Sequence, residues 1–163
     1  MRLTALVLIA FLAACSTAPS PKTPAPAPVA PVSAAPREVD VPERYVSAET
    51  PEEELDSVAT WQSDEGMLWL IATGKSSHRL VIYDAEDGTR LRDYGKEGAA
   101  LGEFNRPNGI AVYADYMFVV ERDNHRVQVI HLPDLVPVGS FGEKELRSPY
   151  GLWLNETEPG ELE

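Results

Sequence analysis

One stretch of this chain is written twice. His78-Arg79-Leu80-Val81-Ile82-Tyr83 returns as His125-Arg126-Val127-Gln128-Val129-Ile130, 47 positions later, and Tyr94-Gly95 returns as Phe141-Gly142 at the same offset. A second pair lies on the other side. Asn108-Gly109-Ile110-Ala111-Val112 is echoed 42 positions on by Tyr150-Gly151-Leu152-Trp153-Leu154, and Arg106-Pro107 and Ser148-Pro149 precede the two copies. A period in the forties, built of about four short strands, is the spacing of a β-propeller blade. A blade has apolar residues on both faces and cannot bury them alone, so its neighbours are part of its core.

The local pattern agrees. Val58–Trp61, Met67–Thr73, Arg79–Tyr83, Gly109–Tyr113, Tyr116–Glu121, Arg126–His131 and Gly151–Leu154 are short runs rich in Val, Ile, Tyr, Phe and Trp, and they read as strands. Turn signals separate them: Asp64-Glu65-Gly66, Glu86-Asp87-Gly88, Asp123-Asn124 and Leu132-Pro133-Asp134. No stretch keeps a helical period over ten or more residues. The expected fold is all-β, a partial β-propeller of about two to three four-stranded antiparallel blades over residues 55–163. Trp61, Trp69 and Trp153 are expected in the core between blades. The blades are fewer than a closed ring needs, which reads as a fragment of a longer protein or a truncated frame. The edges left open are a route to self-association.

Upstream of residue 55 the chain is of another kind. Arg2 followed by the apolar run Leu3–Leu12, broken only by Thr4, is too short for a permanent bilayer span of roughly 20 residues, and matches a secretory signal over residues 1–14. Leu12-Ala13-Ala14-Cys15 resembles the lipobox of bacterial lipoproteins. That resemblance implies cleavage before Cys15 and a diacylglycerol on its thiol. Cys15 is the chain's single cysteine, so no disulfide partner exists within the chain. Ser16 resembles the residue found in lipoproteins sent to the outer membrane. Seven of the 14 prolines fall in residues 16–36, among Ala, Ser, Thr and Val. Such a segment has little to bury, and in extended form it reaches roughly 60 Å. With the acidic stretch that follows, residues 15–54 read as a lipid-anchored linker. The net charge of -12 argues against nucleic acid, whose binding rests on Lys and Arg neutralising phosphates.

Two family resemblances follow from these residues. Phe104-Asn105-Arg106-Pro107-Asn108-Gly109-Ile110-Ala111-Val112, continuing to Asn124-His125-Arg126-Val127-Gln128-Val129, resembles an NHL-type propeller repeat. Asp56-Ser57-Val58-Ala59-Thr60-Trp61, Thr73-Gly74-Lys75, Leu80-Val81-Ile82-Tyr83-Asp84, Asn108-Gly109-Ile110-Ala111-Val112 and Glu121-Arg122 are similar, in order and rough spacing, to blocks of the β-propeller phytases. The second resemblance implies a calcium-dependent phosphohydrolase acting on phytate or another phosphorylated ligand. It would place Lys75 and Arg122 on phosphate, with Asp56 and the weaker Asn108 on calcium. Calcium suits that chemistry because it takes oxygen ligands and can activate a water. Ser57 and Ala111 stand where that family carries carboxylates, which weakens the calcium site. The competing reading is a non-catalytic NHL-type module that binds a protein or an envelope ligand.

Plainer roles are open to each residue. Lys75 can be a solvated turn lysine, Glu121-Arg122 a surface ion pair at a strand end, and Asp56 a loop acid. Asp84 to Gly88 suits a hairpin turn better than a calcium loop. His78 and His125 recur at equivalent places, which favours structure over metal ligation. No Ser-His-Asp set, phosphate-cradling glycine loop or Cys-based metal spacing is present. If Cys15 carries lipid, cells grown with labelled palmitate will label the wild-type chain, and Cys15→Ser will abolish the label and release the protein from the membrane fraction.

Overall fold

A computed structural model describes residues 38–162. The signal over residues 1–14, Cys15 and the proline-rich segment to residue 36 lie outside the described residues. The chain divides into two units, Met1–Asp40 and Val41–Glu163. Of the first, residues 38–40 are described; they are exposed and carry no regular structure.

The second unit holds two four-stranded antiparallel sheets. Sheet 1 runs in chain order β1 (Leu55–Gln62), β2 (Leu68–Gly74), β3 (Arg79–Asp84), β4 (Arg90–Tyr94). Sheet 2 repeats the order with β5 (Pro107–Tyr113), β6 (Tyr116–Glu121), β7 (Arg126–His131) and β8 (Val136–Phe141). A small hairpin of β9 (Glu156–Glu158) and β10 (Glu161–Leu162) follows. Among the described residues the only helical element is one 3-10 turn at Pro51–Glu53. The two copies of the repeat therefore fold alike.

The sheets stack face to face, and the repeat shows which face meets which. In β2 and β3, Trp69, Ile71, Leu80 and Ile82 share one core with Met117, Val119 and Ile130 of β6 and β7, and Phe104 lies buried in it. At the 47-residue offset, Trp69, Ile71, Leu80 and Ile82 correspond to Tyr116, Phe118, Val127 and Val129. Those four project from the opposite face of sheet 2 to Met117, Val119 and Ile130, because side chains alternate along a strand. The stacking is thus head to tail: like faces point the same way. Trp61 and Trp69 pack at 4.9 Å within the interface, and the Trp61 indole N–H donates to Asp115 Oδ1 at 3.0 Å across it. Arg92 lies over the Trp69 ring and donates to the Pro133 carbonyl at 2.7 Å.

Each sheet is tied to the segment that leads into the next. His78 and His125 both sit in the turn after a second strand, with φ of 55° and 56°. His78 Nδ1 accepts the Arg106 backbone N–H at 3.1 Å, and His125 Nδ1 accepts that of Ser148 at 3.1 Å. The acceptor nitrogen must carry no proton, so both rings hold theirs on Nε2. Their roles are structural.

A buried carboxylate accompanies each sheet but comes from different places. In sheet 2 it is Glu121, from β6, which binds Arg126, Gln128, Asn124 and the Asn105 N–H. In sheet 1 the equivalent residue is Gly74, and Glu53 of the 3-10 turn takes over. Glu53 is 1% exposed and pairs with Arg79 at 3.1 Å and Arg90 at 2.6 Å. A side chain on Gly74 would press against Ser77 and Glu53, so the glycine makes room for the substitute carboxylate.

Several expectations need correction. β4 and β8 were not foreseen, because Arg90–Tyr94 is mostly polar and Val136–Phe141 is broken by Pro137 and Gly139. Gly151–Leu154 has no hydrogen-bonded partner strand. It lies instead along β5: a side chain on Gly109 would meet the Gly151 Cα and the Tyr150 carbonyl at 2.9 Å. Trp153 is 79% exposed, not core. Glu121 is buried and pairs with Arg126, not with Arg122. The expected hairpin turn at Asp84 to Gly88 is present, with Gly88 at φ 80° and its N–H on the Asp84 carbonyl at 2.9 Å.

Removing the half-buried His78 latch leaves the Arg106 N–H unpaired, at a cost of about 1–3 kcal/mol. Denaturant melts of His78→Ala should show that loss. His125→Ala should lose less than half as much, because the Ser148 N–H it holds is near solvent.

Candidate functional site

The site grows from the first residues of successive repeats. Glu54, Arg106 and Ser148 each adopt a positive φ, of 45°, 54° and 47°, which turns the chain into the start of its repeat. Two residues on come Asp56, Asn108 and Tyr150. These three side chains, from equivalent positions in three repeats, converge. The Asn108 amide donates to Asp56 Oδ2 at 3.0 Å, and the Tyr150 hydroxyl donates to Asp56 Oδ1 at 3.2 Å. Lys75, just past β2, reaches the same Oδ1 at 3.3 Å. Beneath them the buried Thr73 hydroxyl donates to the Asn108 carbonyl at 2.7 Å and accepts the Ser57 N–H at 3.1 Å.

The backbone sets these positions. The N–H groups of Lys75 and Ser76 donate to the carbonyls of Glu54 and Glu53, and those of Arg122 and Asp123 donate to Arg106 and Asn105. The antiparallel ladder therefore runs on past the strand ends in the same way in both sheets. Lys75 and Arg122 occupy equivalent places at the same end of their sheets.

Of the four residues singled out in the sequence for phosphate and calcium, the structure brings Asp56, Lys75 and Asn108 together. Arg122 has its charged partner in Asp123 at 3.5 Å, with its side chain 40% exposed. Tyr150 and Thr73 were missed. The signal for Tyr150 was present: lining up residues 54–56 with 106–108 and 148–150 places it opposite Asp56 and Asn108. Thr73 stood in the Thr73-Gly74-Lys75 block of the resemblance but was given no role, since a threonine inside an apolar strand looks like packing.

Burial alone would raise the Asp56 carboxyl. The hydrogen bonds from Asn108 and Lys75, the Lys75 charge and the Tyr150 hydroxyl outweigh it and hold the group below the usual aspartate range. The Asn108 side chain is fully buried, and its Oδ1 has no hydrogen-bond partner. Calcium takes about six to eight oxygen ligands, several of them carboxylates as a rule. Asp56 is the one carboxylate here, and Lys75 already stands on it. Among the described residues no three His, Cys, Asp or Glu side chains gather. This donor set does not suit calcium, and we derive no chemistry through it.

No family model and no curated protein matches the chain.

A lowered folded pKa stabilises the protein above the ordinary aspartate range, and that contribution fades as pH falls through the lower folded value. Asp56→Ala should therefore cost about 2 kcal/mol near neutral pH. The gap from wild type should narrow steadily in acid, as followed by urea melts across the carboxylate range.

Proposed function

We propose that residues 55–154 are part of a β-propeller, carried at the cell envelope by a lipid on Cys15, and that they serve as a non-catalytic binding module. The meeting of Asp56, Asn108 and Tyr150 carries the propeller half of this reading. Equivalent residues of successive repeats converge on one point when the repeats are arranged around an axis. The head-to-tail stacking of the sheets supports the same arrangement, and the NHL-like residues of the second repeat are consistent with it.

The saturation of Asp56 favours binding over catalysis. One of its oxygens accepts from Lys75 and Tyr150, the other from Asn108. A carboxylate held this way, with its pKa lowered, is a poor general base at neutral pH. Its energetic role is to tie three repeats together.

One observation favours a phosphohydrolase as the second reading. Lys75, Asp56 and Asn108, three of the residues that resemble the phytase pattern, do lie together, and Arg122 stands at the same sheet end. Phosphate release from phytate separates the two. The binding module releases none, with or without calcium. Release that needs calcium, and that is lost in Asp56→Ala, would establish the hydrolase.

A further inference from the structure

We propose that the end of sheet 1 opposite Asp56 holds a docking pocket for a basic side chain of a partner polypeptide. The inference deepens the binding-module reading and rests on it, since it names what such a module takes. It uses no residue of the Asp56 group.

The pocket is set by the register of β2 and β3. Trp69 stands opposite Asp84, and the Ala85 N–H donates to the Leu68 carbonyl at 2.9 Å. The ladder therefore runs past the strand end and brings Met67 opposite Glu86. Side chains two apart share a face, so Met67 and Trp69 lie side by side, with Glu86 and Asp84 across from them. β4 slips its register between its pairings with Ile82 and Tyr83, and Leu91 at that slip completes the wall. The cavity so lined has a volume of about 280 Å³. Pockets for drug-sized ligands run from about 300 to 1,000 Å³, so this one suits a single side chain.

Its two kinds of wall point to one kind of guest. Met67 and Leu91 are 43% and 46% exposed, whereas Trp69 is buried, so the free apolar surface belongs to the first two. Beside them stand two carboxylates. Asp84 spends one oxygen on the Glu86 N–H at 2.7 Å. The Glu86 side chain is exposed, and among the described residues it makes no hydrogen bond or ion pair. A lysine or arginine lays its methylenes along apolar surface and keeps its charged head at the polar edge. These walls match that shape, stem on Met67 and Leu91, head on Glu86 and Asp84.

Charge complementarity selects the same guest. Four turns lie at this end. Asp64 and Glu65 follow β1, Glu86 and Asp87 follow β3, Asp115 follows β5 and Asp134 follows β7. The cations close by are engaged. Arg44 acts on Asp87, Arg92 is drawn off to the Trp69 ring and the Pro133 carbonyl, and His131 pairs with Asp134 at 2.8 Å. At the Asp56 end both signs are present, with Lys75 on Asp56 and Arg122 on Asp123. The field of the acidic end draws a cation in, and the cavity gives its stem an apolar place to lie. Further sheets stacked as these two are would meet the faces of the sheets and not their turns, so a larger ring keeps the pocket open.

Methionine-methyl NMR on the full chain, with Cys15→Ser as the common background, tests this. Met67 lies in the pocket, and Met117, fully buried between the sheets, is the silent reference. The probe is a capped pentapeptide with lysine at its centre and alanine elsewhere. It should shift the Met67 methyl and leave Met117 in place, with a Kd of about 1 mM or below. The same peptide with norleucine keeps the stem and loses the charge; it should bind at least about fivefold more weakly. Glu86→Lys, in an exposed turn, should weaken the lysine peptide by a similar factor, with Met117 reporting that the core is intact. Raising salt to about 0.5 M should weaken the lysine peptide and spare the norleucine one. An unshifted Met67, equal binding of the two peptides, or lysine binding untouched by Glu86→Lys overturns the inference. So does n-butylammonium binding as tightly as the peptide, which would make the guest a free amine. The phytate assay keeps the two readings apart. Calcium-dependent release would sink the binding module, whereas an unshifted Met67 with no release would sink only this pocket.

Discussion

Each sheet here is apolar on both sides, and that one constraint organises the molecule. β2 and β3 carry Trp69, Ile71, Leu80 and Ile82 on one face and Leu70, Ala72, Val81 and Tyr83 on the other. Neither face can be left to water without losing roughly 25 cal/mol for each Å² of apolar surface that stays exposed. One face is covered by sheet 2. On the other, Ala72, Val81 and Tyr83 are buried, and Glu53 pairs with Arg79 and Arg90 beside them. Sheet 2 inherits the same need, and it is met fully on one side and in part on the other, where Val120 and Val127 are buried but Tyr116 and Phe141 are exposed. The contrast between the two ends of the stack follows from this.

The polar contacts organise what the apolar faces hold together. His78 and His125 fasten each sheet to the start of the next repeat, and the Asp56 carboxylate gathers the first residues of three repeats. Neither element is rich in contact area. Both act on direction: they fix where the next repeat begins and at what point the repeats meet. A stack held by apolar faces alone could slide. These hydrogen bonds, several of them between half-buried groups that would otherwise lack partners, remove that freedom.

Much of this was legible in the residues. The 47-residue repeat, the inner strands β2, β3, β6 and β7, and the hairpin at Asp84–Gly88 all follow from apolar runs broken by turn residues. The outer strands β4 and β8 were not legible. Arg90–Tyr94 is mostly polar, with Leu91 as its one aliphatic residue, and Val136–Phe141 contains both Pro137 and Gly139. Their strand character comes from the partner they pair with. Trp153 misled because a tryptophan suggests a core wherever it falls. At the site, Asp56, Lys75 and Asn108 were found by resemblance and are neighbours, but the resemblance did not foretell that Lys75 would stand on Asp56. Glu121 deceived in the opposite sense, since a glutamate beside an arginine looks like a surface pair until the alternation of β6 turns it inward.

The exchange of Glu121 for Glu53 has a mechanical side. In sheet 2 the buried carboxylate belongs to a strand of its own sheet. In sheet 1 it belongs to the segment that precedes β1. A pull on the chain from its N-terminal side reaches Glu53 before it reaches the first rung of β1. Two guanidinium groups, on β3 and β4, bear the load. The ladder between β1 and β2 is shielded until that clamp lets go, so sheet 1 resists being unzipped by such a pull.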